Sequence, residues 1–242
     1  MKMIFTGLNG TVAPVVANHF KKQGHEIVQF DRNVVSIDDP EAIETFIRTE
    51  EPDMVMHFAT GPETWSEYLS EITRRLNVKF VYISTVSVYG DHQEGPFDVD
   101  LTPQPTDDYG RYKYNSERIV TSTNKHAWII RIGWQIGHYP GSNNMIDFLD
   151  KTMKEDGQIT ASEKFYPATS FIEHTAEGIE QAIAMAPSLY QVDSNDGLSF
   201  YEIVNKLKTR HPFLKVKKSE SPAKDIRMRD SRITIPALSD AI

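Results

Sequence analysis

The chain has 242 residues, 26 of them Lys or Arg and 34 Asp or Glu, for a formal net charge of −8 at pH 7. The length suits one α/β domain with a small appendage. The acidic balance argues against a nucleic-acid partner, which needs a basic face to displace counterions from phosphates. Cysteine is absent, which removes disulfides, thiolate metal sites and cysteine nucleophiles together.

The apolar run within Met1–Gly7 is too short for a signal peptide and leads directly into a motif. No apolar stretch approaches the ~20 residues that span a bilayer. The expectation is a cytoplasmic protein with no membrane partner.

Short apolar runs then alternate with longer helical patterns, the signature of βαβ units building a parallel sheet covered on both faces. Strands are expected at Met3–Thr6, Glu26–Phe30, Met54–Phe58, Lys79–Ser84, Ala127–Ile132 and Leu189–Val192. Helices are expected at Thr11–Gln23, closed by Gly24, and at Pro40–Thr49, opened by Asp39 and Pro40. Further helices are expected at Thr106–Ser122, His174–Met185 and Phe200–Thr209. The fold class is α/β, a Rossmann-type doubly wound parallel sheet with a small C-terminal substrate-binding region. Residues 1–138 form the dinucleotide-binding core with the catalytic residues, and residues 139–242 mainly cover the substrate, with some segments returning to the sheet.

Gly7-Leu8-Asn9-Gly10-Thr11-Val12-Ala13 leaves the first strand and opens the first helix. Gly7 permits the sharp turn, and Gly10 lets a pyrophosphate approach the backbone at a helix N-terminus whose N–H groups have no helical partner. Alone, the pattern reads equally well as a tight βα turn. Asp31, ending the second strand ~20 residues on, adds a ribose-binding carboxylate and favours NAD. Arg32 is suited to the extra phosphate of NADP, so both cofactors stay open.

Tyr109 and Lys113 are four apart in a helical segment and share a face. A nearby ammonium favours the phenolate, so the pair is expected to exchange a proton with a carbonyl or alcohol oxygen. Thr85 ends a strand and aims a hydroxyl at the carboxyl edge of the sheet, where doubly wound folds bind ligands. His57, His92, His138 and His174 lack ligand spacing, and no metal is expected.

Gly7-Leu8-Asn9-Gly10, Ile83-Ser84-Thr85-Val86-Ser87-Val88-Tyr89-Gly90 and Tyr109-Gly110-Arg111-Tyr112-Lys113 together resemble the extended short-chain dehydrogenase/reductase superfamily, the NAD-dependent epimerase/dehydratase family. The resemblance implies that Thr85 is the catalytic hydroxyl, Tyr109 the acid/base and Lys113 its helper. It also implies that Gly7, Asn9, Gly10, Thr11, Asp31, Arg32, Ala59, Thr60, Tyr109 and Lys113 hold the NAD or NADP. Glu117 matches a recurrent family position and reads equally as a solvated helix charge.

Within the superfamily the chain most resembles nucleotide-sugar 4-keto reductases of the dTDP-4-dehydrorhamnose reductase type, through Asn143-Asn144-Met145-Ile146 and Arg227-Met228-Arg229-Asp230-Ser231-Arg232-Ile233. That implies a nucleotide-sugar substrate held by Ser84, Trp134, Asn143, Asn144, Arg227 and Arg229. It is compatible with a homodimer. Ser36 stands where the family commonly has an adenine-contacting Asp, and Thr60-Gly61-Pro62-Glu63 departs from the usual reductase continuation. Two alternatives are a nucleotide-sugar epimerase with transiently reduced bound cofactor and a non-catalytic NAD(P)-binding regulatory protein.

Overall fold

The computed structural model describes residues 1–139 and 141–242. Six strands form a parallel sheet: β1 (Lys2–Thr6), β2 (Glu26–Phe30), β3 (Met54–His57), β4 (Lys79–Thr85), β5 (Ala127–Ile132) and β6 (Leu189–Val192). Their order is β6-β5-β4-β3-β1-β2, and every neighbouring pair is parallel. From β1 the chain first builds outward to β2 and then returns to place β3 on the other side of β1. That reversal opens a crevice at the carboxyl ends of β1 and β3, the general ligand position in open α/β sheets.

Helices cover both faces. On one side α1 (Ala13–Lys22) and α6 (Ile172–Ala184) pack on Met3, Phe5, Met56, Val81 and Ile130. The buried residues of α1, Ala13, Val16, Ala17 and Phe20, recur at the spacing of one helix face. On the other side α2 (Pro40–Glu50), α3 (Glu63–Arg75) and α4 (Asp108–Thr123) cover Ile4, Val55, Phe80 and Ile129. Asp39 starts α2 by accepting from the backbone N–H groups of Glu41 and Ala42 at 3.0 and 3.1 Å.

A second core lies beside the sheet, under α5 (Met145–Asp156) and α7 (Phe200–Leu207), where Ile136, Leu149, Phe171 and Ile203 meet. In this part Trp134–Ile136 pairs in parallel with Thr169–Phe171, and a separate small cluster with Val88 and Tyr89 is joined by the parallel pair Phe97–Asp98 and Met228–Arg229. The strand α6 leads to, β6, rejoins the main sheet beside β5. Among the described residues, no helix is long and apolar enough to cross a membrane.

Candidate active site

The turn after β1 is built for a close backbone approach. Gly7 sits at φ +79°, and a Cβ there would lie 3.0 Å from the Ala59 backbone nitrogen. Gly10 N–H donates to the Gly7 carbonyl at 2.8 Å and closes the turn. Val12 precedes α1 and has no side-chain oxygen to cap it; Pro14 in the first turn carries no N–H, and the Val15 and Val16 N–H groups donate to the Val12 carbonyl, each at 3.1 Å.

Thr6 supports this turn from below. Its Oγ1 accepts from the backbone N–H groups of Phe58 and Ala59, both at 3.0 Å, so its own proton goes to His57 Nδ1 at 2.8 Å. That assigns the His57 hydrogen to Nε2. Burial, with Lys113 adding, holds the imidazole neutral by lowering its pKa to about 3. At the end of β2, Asp31 Oδ1 accepts from the backbone and side-chain nitrogens of Asn33, each at 2.9 Å.

A cleft of about 780 Å³ runs along the carboxyl edge of the sheet. It brings together Gly7, Asn9, Gly10 and Thr11, Asp31 and Arg32, Ala59 and Thr60, and Thr85, Tyr109 and Lys113. Ser84, Trp134 and Asn143 border it too. The glycine turn, the uncapped helix start and Asp31 fit the pyrophosphate and ribose of a dinucleotide, and Thr85, Tyr109 and Lys113 stand on the other part of the wall.

Thr85 ends β4 and shapes the turn that follows, accepting from Ser87 N–H at 3.2 Å and donating to Ser87 Oγ at 3.3 Å. Asp107 caps α4 by accepting from Gly110 N–H at 2.7 Å. The next constraint is steric: a Cβ on Gly110 would lie 2.1 Å from the Ser87 carbonyl oxygen. Glycine therefore lets α4 approach the Thr85 turn closely, and Tyr109 is carried with it.

Lys113 is 3% exposed. Its Nζ donates to the Ile83 carbonyl at 2.8 Å and lies 4.7 Å from the centre of the Tyr82 ring. Burial lowers its pKa to about 8, with the Glu117 charge acting the other way. Tyr109 is 47% exposed overall. Desolvation raises its phenol above the ordinary value, Tyr112 adds to this, and the Thr85 hydroxyl opposes it. Here the structure differs from the sequence expectation of a phenol lowered by Lys113. The Lys113 Nζ is turned toward the Ile83 carbonyl and the Tyr82 ring.

The substrate-side residues divide. Asn144 does not border the cleft: its Oδ1 caps α5 through the N–H groups of Ile146 and Asp147 at 2.8 and 3.2 Å. Arg227 donates to both oxygens of Asp225 and lies 5.2 Å from the Tyr166 ring centre. Arg229 ends the short strand Met228–Arg229 with its side chain exposed. Of that segment Ile226 borders the cleft, while Arg227 and Arg229 are not among the residues that line it. Sequence reading also left Glu117 undecided between a solvated charge and a site group. It is 4% exposed and pairs with Arg131. A charge on the same helix face as Lys113 was the available signal.

A sequence profile of the NAD dependent epimerase/dehydratase family matches residues 3–160. The spore coat polysaccharide biosynthesis protein SpsK of Bacillus subtilis is 22% identical over 217 residues, 83% of this chain and 76% of its own. Among solved structures, the Bacillus anthracis dTDP-4-dehydrorhamnose reductase in complex with NADP superimposes with a TM-score of 0.83 at 19% identity, covering 99% of this chain and 96% of that one. The UDP-N-acetylglucosamine 4-epimerase of Bacillus cereus superimposes with a TM-score of 0.79 at 21% identity, covering 96% and 91%. At such identities the superpositions show a shared fold.

Proposed function

Because the chain belongs to the NAD-dependent epimerase/dehydratase family, we propose that it is an NAD(P)H-dependent reductase of a 4-keto nucleotide sugar, with Tyr109 as proton donor. The observation that carries this reading is the placement of Thr85, Tyr109 and Lys113 on the wall of the cleft that contains the glycine turn.

NAD(P)H, when bound, supplies the hydride that reduces the keto carbon. Thr85 polarises the carbonyl by donating its hydroxyl hydrogen to the carbonyl oxygen. Tyr109 gives its phenolic proton to that oxygen, so the C=O bond becomes C–OH and Tyr109 is left as phenolate. Lys113, four residues on along the same helix face, would hold the ribose of the bound cofactor, and its charge would favour the phenolate once that forms. Residues 139–242 cover the sugar end, with Trp134 and Asn143 bordering it. The reductase named for the B. anthracis structure supports the reaction class. The absence of a carboxylate at Val86 or Ser87, beside Thr85 where dehydratases often carry one, argues against a dehydratase and leaves the epimerase as the rival.

The test is cofactor oxidation over a panel of 4-keto nucleotide sugars. One NADH or NADPH consumed per sugar reduced supports the reading. Epimerised sugar with no net consumption contradicts it and identifies an epimerase.

A further inference from the structure

The buried polar groups behind the reaction wall form one connected junction. Glu117 lies one helical turn beyond Lys113 on α4, and the two are 4% and 3% exposed. Glu117 accepts two N–H groups of Arg131 on β5, from Nε at 2.9 Å and from Nη2 at 2.6 Å. Arg131 Nη1 donates to the Tyr89 hydroxyl at 2.7 Å, and that hydroxyl also accepts from Gln191 Nε2 on β6.

Tyr89 closes the turn that Thr85 opens, and its ring stacks on Phe97 with centres 4.2 Å apart. The sheet register sets Arg131 opposite Ser84, one residue before Thr85. One junction thus joins the helix of Tyr109 and Lys113 to the segment of Thr85.

Stability alone is a weak reason for this pair. Desolvating two charges costs about as much as their attraction returns, and an apolar pair of equal volume is commonly as stable. What an apolar pair cannot do is place an anion one helical turn from Lys113 on the same buried face. The titratable groups around Lys113 are His57 from β3, Tyr82 from β4, and Tyr109, Tyr112 and Glu117 from α4 itself. Glu117 is the carboxylate among them.

We propose that Glu117 and Arg131 are positioning residues for the reaction: together they lock α4 against the Thr85 segment, and the Glu117 charge, metered by Arg131, keeps Lys113 in its ammonium form inside the buried wall. The role assigned to Lys113 rests on the reductase reading above. The direction of the Lys113 titration agrees, since Glu117 opposes the lowering that burial imposes. Removing Glu117 takes away the anion. Removing Arg131 leaves the carboxylate free to turn to Lys113.

The test is the titration of the Lys113 side chain, read by NMR on protein carrying ¹³C-labelled lysine, with the resonance assigned by its loss in Lys113→Met. In Glu117→Gln the midpoint should fall by roughly one pH unit, the scale of losing a nearby opposite charge. In Arg131→Gln it should rise. These opposite displacements distinguish a charge effect from a loosened fold, which would move both the same way. If either single change leaves the protein unfolded, the double variant Glu117→Gln/Arg131→Gln keeps an uncharged junction, and its midpoint should fall. Folded Glu117→Gln or double-variant protein whose Lys113 titrates with the wild type overturns the proposal. The readout needs no substrate, so its failure is separable from a failure of the reductase assay.

Discussion

The Tyr109 phenol keeps its proton at neutral pH, as any phenol whose pKa is not lowered does; desolvation pushes its pKa up, and the ammonium four residues away donates to the Ile83 carbonyl. A reductase needs this protonation state, so replacing Tyr109 by Phe removes the donor without refilling any packed space. Turnover of Tyr109→Phe should drop by roughly 10²–10⁴-fold, the usual worth of a placed general acid. Its affinity for NAD(P)H, measured by quenching of cofactor fluorescence, should stay near wild type. Lost cofactor binding would instead mean that Tyr109 acts by holding the dinucleotide.

His57 makes a second prediction at this scale. Its pKa is lowered to about 3 in the fold, against ~6.5 in the unfolded chain. The neutral form is the folded form, so this contribution to stability is complete above pH ~6.5 and is lost as pH falls toward about 3. The slope approaches roughly 1.4 kcal/mol per pH unit inside that window. Urea unfolding at a series of pH values should show a steeper acid loss in wild type than in His57→Phe. Parallel curves would contradict the assignment.

At the scale of elements, the approach of α4 to the turn after β4 governs the geometry of the site. A methyl group at Gly110 would meet the Ser87 carbonyl at 2.1 Å, far inside contact distance, so the helix has to move away. Gly110→Ala should keep the fold, as judged by circular dichroism, and lower kcat at least tenfold, because displacements near 1 Å can cost about 10²-fold. An unchanged kcat would show that the close contact is not what sets Tyr109.

The same element shows what sequence could and could not disclose. The six sheet strands were legible because fully buried parallel strands are continuous apolar runs such as Phe80-Val81-Tyr82-Ile83, and their observed ends lie within a residue of the expected ones. Helix α3 was not expected. Its buried stripe alternates Trp65, Leu69 and Ile72 with buried Ser66, Ser70 and Thr73, which blurs the apolar period, and Pro62 gives it no side-chain cap. The strand-end and helix positions of Thr85, Tyr109 and Lys113 could be read from spacing. The direction of the Lys113 ammonium could not, because it depends on the Ile83 carbonyl and the Tyr82 ring of another element. The pairing of Arg227 with Asp225, only two residues away, was likewise not legible from the sequence pattern.

For the molecule as a whole, chain order and chemistry converge on one edge. The reversal between β1 and β3 opens the crevice, the glycine turn and Asp31 border one part of it, and β4 with α4 bring Thr85, Tyr109 and Lys113 to another. The second core, under α5 and α7, packs against Trp134, whose ring stacks on Phe200 and which also borders the cleft. A fold of this kind serves reductases and epimerases alike, as the two solved structures illustrate. The fate of the hydride separates them.

The most direct measurement is therefore the destination of deuterium from NAD(P)H labelled at the transferring position, followed in a 4-keto nucleotide sugar by mass spectrometry and NMR. The account predicts one deuterium retained on the reduced sugar carbon per turnover, with oxidised cofactor released in equal amount and the rate reduced in Tyr109→Phe. Sugar product without deuterium, or label that stays on tightly bound cofactor while the sugar is epimerised, would contradict it.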